Sequence, residues 1–151
     1  LFQEMDHPVQ MLADRAVIAG MTFLLILLDY LEVCCQQMDI QVEFFQSNHE
    51  GDLIDEIQSA AGRADGIVIN PGGYAHYSVA ILDALRVCGV PAVEVMLSEP
   101  DSHEPFRQTD VVSFGCQGHF IGEGISGYLH ACAYLVQLLR IDGSGHTHLV
   151  M

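Results

Sequence analysis

Gly66-Ile-Val-Ile-Asn-Pro-Gly-Gly-Tyr-Ala-His76 is the stretch on which the fold turns. Gly66 to Ile69 is a short apolar run without alternation, the kind of strand a parallel sheet buries on both faces. Asn70-Pro-Gly-Gly then breaks the strand into a polar loop. Ser78 to Val87 has a helical pattern, and Pro91 to Val95 is a second buried strand. Strand, loop, helix and strand at this spacing predict a βαβ unit in a parallel sheet. In such sheets ligands bind beyond the carboxyl ends of the strands, where these loops fall.

The pattern extends outward from there. Upstream, Thr22 is placed to cap a helix running to about Met38, and Ile40 to Phe45 alternates like a strand. Asp52 to Gly62 reads as a helix with Leu53, Ile54 and Ile57 on one face. Downstream, Val111 to Phe114 reads as a strand, Gly115 to Gly124 is glycine-rich, and Ile125 to Leu139 is a closing helix. Residues 1–20 give no clear element, and residues 141–151, with Gly, Ser and two His, read as a loose tail. The expected architecture is one α/β domain over 1–151, a three-layer sandwich around a central parallel sheet.

Composition narrows the partners. A chain of 151 residues suits one domain with a sizeable core. The net charge is −15 and there is no Lys, so nucleic acid and anionic membrane are poor partners. The longest apolar run, Met21 to Leu28, is too short to span a bilayer. No charged region, apolar core and cleavage site follow one another at the N-terminus, so no signal peptide is expected. Cys34, Cys35, Cys88, Cys116 and Cys132 form no CxxC pair, and most sit in apolar stretches. They read as reduced, buried thiols, which points to a reducing, cytoplasmic setting.

The loops after Phe45, Ile69 and Val95 hold Asn48, His49, Glu50, Asn70, His76, Ser98 and Glu99. His49, Glu50, His76, Glu94 and His103 could ligate a metal, but no HExxH or i, i+4 His pair occurs, and no metal is expected. Asn70-Pro-Gly-Gly is not a phosphate loop. Gly122-Glu-Gly-Ile-Ser-Gly127 has GxGxxG spacing, yet no strand is expected after it, so helix packing is the reading. Ser98 and the cysteines lack an adjacent base. Arg107 is either an anion anchor or half of a surface ion pair, and His76 is either functional or structural.

Several separate motifs then agree. Phe45-Gln-Ser-Asn-His-Glu-Gly51, Leu53-Ile-Asp55, Asn70-Pro-Gly-Gly-Tyr-Ala-His-Tyr-Ser78, Asp83-Ala-Leu85, Pro91-Ala-Val-Glu-Val95 and Glu104-Pro-Phe-Arg107 stand in order between about residues 22 and 140. Together they resemble type II 3-dehydroquinate dehydratase. The resemblance implies a flavodoxin-like fold, a dodecamer built of trimers, and a role in the shikimate pathway. The reaction it implies is trans-dehydration of 3-dehydroquinate to 3-dehydroshikimate, with no cofactor. In that chemistry a Tyr, acidified by an Arg, removes a proton beside the ketone, and a His protonates the departing hydroxyl.

By the same resemblance Asn70, His76, Asp83, Leu97, Ser98 and Arg107 hold the substrate, and Glu94 supports the catalytic His. The departures fall on the chemistry. The position of the acid is Met96, and Ala19 stands where the base is expected. Glu99, His103 and Leu82 replace an Asn and two Arg, and Arg15 stands near the activating Arg at a shortened spacing. The expectation is a homologue whose cradle for a small polar carboxylate survives while its acid and base are replaced. An active dehydratase with a rearranged acid and base, and a structural oligomeric shell, are the alternatives.

Overall fold

The computed structural model of the chain describes residues 20–141 and 147–151. Ala19 and Arg15 therefore lie outside the described residues. Helix α1 (Gly20–Gln37) leads to strand β1 (Ile40–Glu43), then α2 (Glu50–Ala60) and β2 (Gly66–Ile69). A 3-10 turn (Gly72–His76) enters α3 (Val79–Cys88), followed by β3 (Ala92–Met96). Two more 3-10 turns (Pro105–Gln108 and Val112–Gly115) precede β4 (Gly118–Ile121), α4 (Ser126–Ile141) and β5 (Thr147–Val150).

The strands form one parallel sheet in the order β1-β5-β2-β3-β4. Counted from β5, that order is 2-1-3-4-5, the flavodoxin-like doubly wound arrangement. The strand in the position of the first is supplied from the C-terminal end of the chain. Residues 147–150 are thus part of the sheet interior, which corrects the expectation of a loose tail. Phe45 N–H donates to the Met151 carbonyl at 2.9 Å, and Met151 N–H donates to Glu43 at 2.8 Å. At the other end of β5, His148 N–H donates to Asp65 Oδ2 at 2.8 Å.

The apolar strands build both cores. Val68, Val93, Val95 and Leu149 face α1 and α4, meeting Cys35, Cys132 and Leu135. Ile67, Ile69, Ala92 and Val150 face α2 and α3, meeting Ile57, Ile81 and Leu85. Every residue of β2 and of β3 is buried, as runs lacking alternation require. Gly66 is fixed by close approach: a Cβ there would stand 2.9 Å from Leu149 Cδ2.

Two further boundaries differ from expectation. Val111–Phe114 is no strand; its core is the 3-10 turn Val112–Gly115, where Asp110 Oδ1 accepts the Ser113 N–H at 3.0 Å. The strand on that edge is Gly118–Ile121. Thr22 lies inside α1 instead of capping it. Ser78 does cap α3, accepting the Ile81 N–H at 3.0 Å.

Candidate functional site

Two clefts open at the carboxyl edge of the sheet and share Asn70, Gly72 and Gly73. The larger, about 560 Å³, lies where the strand order reverses between β5 and β2; Leu31, Phe44, Tyr74, Tyr128 and Met151 are among its walls. The smaller, about 490 Å³, lies beyond β2 and β3 and gathers His76, Met96, Leu97, Ser98 and Arg107. The smaller cleft is where the polar groups converge, so it is the better candidate for chemistry.

The turn after β2 is held by its own side chains. Asn70 Oδ1 accepts the Gly72 N–H at 3.1 Å, an Asx turn that opens the loop. Its Nδ2 donates to the Tyr128 hydroxyl of α4 at 3.0 Å, tying the loop across the sheet edge. Burial raises the Tyr128 hydroxyl above the ordinary tyrosine range, so it stays a neutral partner. Tyr74 donates its hydroxyl proton to the Asn48 carbonyl at 2.8 Å. His76 Nδ1 lies 2.8 Å from the Thr109 carbonyl. Because a carbonyl can only accept, Nδ1 carries the proton, and neutral His76 offers Nε2 as an acceptor. Serving as an acid would require the imidazolium.

The turn after β3 has a different character. Met96 is buried and is among the residues that line the cleft, its carbonyl accepting the Gly122 N–H at 3.0 Å. A thioether can neither give nor take a proton there. Glu94, two residues earlier on the same strand face, is wholly buried and does not line the cleft. Neither of its oxygens has a hydrogen-bond partner of normal geometry. His119 Nδ1 stands 3.6 Å from Glu94 Oε2, too far for a good hydrogen bond. Burial, and then the neighbouring Asp110 carboxylate, push the Glu94 carboxyl up to about 8. Cys116 shares this pocket of charge: burial, then the Glu94 and Asp110 carboxylates, push its thiol up to about 12.

Electrostatics of the smaller cleft are acidic. Glu99, Asp101 and Glu104 line it along with Arg107. Arg107 Nε is already paired with Glu104, and its guanidinium lies 5.4 Å from the Phe106 ring centre. A bound anion therefore has to compete with Glu104.

The structure brings Asn70, His76, Leu97, Ser98 and Arg107 together around one cleft. It leaves Glu94 beneath that cleft and puts Asp83 elsewhere, on the exposed face of α3. His103 does not line the cleft; its ring stands 2.9 Å from Asp101 in solvent. Asp101, Asp110, His119 and Tyr128 were not singled out by sequence. Asp110 and Tyr128 come from distant segments whose approach local patterns cannot reveal. Gly122–Gly127 does have a strand after it, β5, contrary to expectation. It is still a packing segment: a Cβ on Gly127 would meet Val95 at 3.3 Å, and one on Gly122 would meet Glu99 Oε1 at 2.8 Å. Among the described residues no three His, Cys, Asp or Glu side chains cluster closely enough to hold a metal. Nor is any described helix long and apolar enough to cross a membrane.

Fold and clefts define a doubly wound α/β protein with its candidate site at the carboxyl ends of the strands. The sequence profile described as "Dehydroquinase class II" matches residues 9–136. A 3-dehydroquinate dehydratase of Bacillus pumilus is 46% identical over 101 residues, covering 67% of this chain and 69% of that protein. One from Caldicellulosiruptor bescii is 44% identical over 105 residues, covering 69% and 72%. The crystal structure of a type II dehydroquinase from Butyrivibrio crossotus superposes with a TM-score of 0.71 and 42% identity, covering 74% of this chain and 78% of that one. The chain belongs to the type II dehydroquinase family. The matched span ends before β5.

Proposed function

We propose that this chain is a dehydroquinase-fold protein that binds a small quinate- or shikimate-like acid and has lost most or all of the dehydration chemistry. Met96 carries the proposal: a buried thioether lines the cleft where the reaction needs a proton donor. Loss of a general acid alone lowers a rate by about 10²–10⁴-fold. Glu94 fits the same history. A carboxyl suited to orienting a histidine stands beneath Met96, with Asp110 beside it and His119 3.6 Å away. His76 lines the same cleft, but its Nδ1 proton is committed to Thr109.

The ligand's carboxylate would lie against Arg107, with Ser98 and the Asn70 turn receiving its hydroxyls. The shikimate pathway of the cytoplasm is the setting that family membership favours. Asp83 lies outside its own chain's cleft, so its role there requires a second copy, as in the trimer-based dodecamer. Val79 and Val87 flank it on the exposed face of α3, at 56% and 80% exposure, and favour that contact. Sedimentation velocity tests the assembly; a monomer at micromolar concentration would defeat it.

The deciding experiment is a steady-state assay for the enone product of 3-dehydroquinate, on wild type and Met96→His. The expected result is negligible wild-type turnover with saturable quinate binding by calorimetry, abolished in Arg107→Ala. Robust wild-type turnover would sink the loss of chemistry and favour a rearranged acid and base. Absence of binding would favour a structural shell.

A further inference from the structure

Two cysteines far apart in sequence meet in the core. Cys35 on α1 and Cys132 on α4 are separated by 97 positions, and their sulfurs are 4.0 Å apart. Both are fully buried among Val68, Val93, Leu135 and Leu149. Neither is disulfide-bonded, and no other cysteine is in sulfur contact with them among the described residues. A disulfide needs about 2 Å between sulfurs, so side-chain rotation and a small approach of the helices must supply the remaining closure of about 2 Å.

The position of the pair gives it a consequence. Leu31 lies one turn before Cys35 on α1, and Tyr128 lies one turn before Cys132 on α4. Both Leu31 and Tyr128 line the larger cleft, and Tyr128 also holds Asn70. A covalent link one turn below would join the two helices that wall that cleft.

We propose that Cys35 and Cys132 are a reversible redox pair, oxidised by hydrogen peroxide to a disulfide that staples α1 to α4 beneath the larger cleft. Because both sulfurs are fully buried, the reaction proceeds through local opening of the α1–α4 seam. The Cys35 thiolate then attacks the peroxide; an S–O bond forms, the O–O bond breaks, and the leaving hydroxide is protonated to water. Cys132 sulfur then attacks the Cys35 sulfenic acid; the S–S bond forms, the S–O bond breaks, and the thiol proton leaves with the hydroxyl as a second water. Two thiols are oxidised by two electrons, and one peroxide is reduced to two waters. Either thiol can donate across the 4.0 Å contact, and these roles follow when Cys132 is the donor. The Cys132 thiol holds Cys35 below the ordinary thiol range, and Cys35 together with burial holds Cys132 above it. Cys34, pushed up by burial and turned toward Leu129, is a poorer nucleophile on the neighbouring face.

The test is treatment of the intact native protein with hydrogen peroxide, followed by denaturing alkylation, digestion and mass spectrometry. Alkylation of Cys35 and Cys132 should fall together, a linked peptide should appear, and dithiothreitol should restore both. Cys34→Ser should leave the link unchanged. Cys132→Ser should convert the Cys35 product from disulfide to sulfinic acid. Hydrogen exchange of Leu27–Leu31 and Tyr128–Cys132 should slow in the oxidised protein. A link from Cys34 to Cys132, or undiminished alkylation of both cysteines under peroxide that oxidises the methionines, would overturn the pair. Unchanged exchange in a fully linked sample would overturn the staple.

Discussion

The turns after β2 and β3 border the same cleft and are stabilised in opposite ways. After β2 the polar groups are satisfied by the protein itself: Asn70 holds Gly72 and Tyr128, Tyr74 holds Asn48, and His76 holds Thr109. After β3 the buried carboxyl of Glu94 has no partner of normal geometry, and the residue above it is Met96. The first turn folds correctly whether or not chemistry occurs. The second keeps a buried carboxyl whose neighbours are Asp110 and, at 3.6 Å, His119. Structural polar groups persist because removing them orphans others, whereas a proton donor can be replaced without disturbing the strand that bore it.

The sharpest way to break this contrast is to neutralise Glu94. The folded chain holds its proton up to about pH 8, while an ordinary glutamate releases it near 4.5. The folded state therefore binds more protons between those values, and stability falls as pH rises across that window, then levels above it. Each pH unit is worth roughly 1 kcal/mol at full effect. Glu94→Gln should flatten the slope and add a few kcal/mol at pH 9, with little gain at pH 4. Urea midpoints at pH 4, 7 and 9 decide it. A wild-type midpoint that fails to decline toward pH 9, or a Gln variant that tracks it, would show that His119 already stabilises the ionised carboxyl against Asp110.

A pair of variants sharpens the comparison further. Asn70→Ala removes two hydrogen bonds and leaves the Tyr128 hydroxyl unpaired, a loss of about 1–3 kcal/mol. Met96→Leu conserves volume and should change stability by less than about 1.5 kcal/mol. Thermal melts of both give the ordering; equal losses would mean that Met96 is as structural as Asn70.

The sequence was most legible where burial was two-sided. β2 was read to the residue because an apolar run broken by Asn-Pro-Gly-Gly admits few other structures. Val111–Phe114 misled because a β-branched pair beside a phenylalanine imitates a strand. There Asp110 caps a 3-10 turn, and a Cβ on Gly115 would crowd Leu82 and Leu85 at 3.1 Å. Thr147–Val150 is too short for periodicity, and its place between β1 and β2 depends on pairing with residues about a hundred positions away. The same limit governs the site. Asn70, His76, Ser98 and Arg107 were legible because strand ends bring loops together. The surroundings of Glu94, the displacement of Asp83 and the Tyr128 contact depend on tertiary approach.

The smallest expected effect concerns Arg107, the cation that the proposed ligand would engage. Its pairing with Glu104 is half exposed, and such pairs contribute about 0–1 kcal/mol. A ligand carboxylate therefore displaces Glu104 at modest cost, but it also meets the field of Glu99 and Asp101. Glu104→Gln frees the guanidinium and removes one like charge, so quinate should bind about two- to fivefold more tightly, within the scale of one exposed pair. The gain should shrink as salt is raised, because exposed charges are screened over about 8–10 Å. Calorimetric titration at low and high ionic strength measures both. If Glu104→Gln weakens binding instead, the Glu104 carboxylate is needed to hold Arg107 in its binding pose. Orientation would then outweigh charge in this half of the cleft, as it already does at the Asn70 turn.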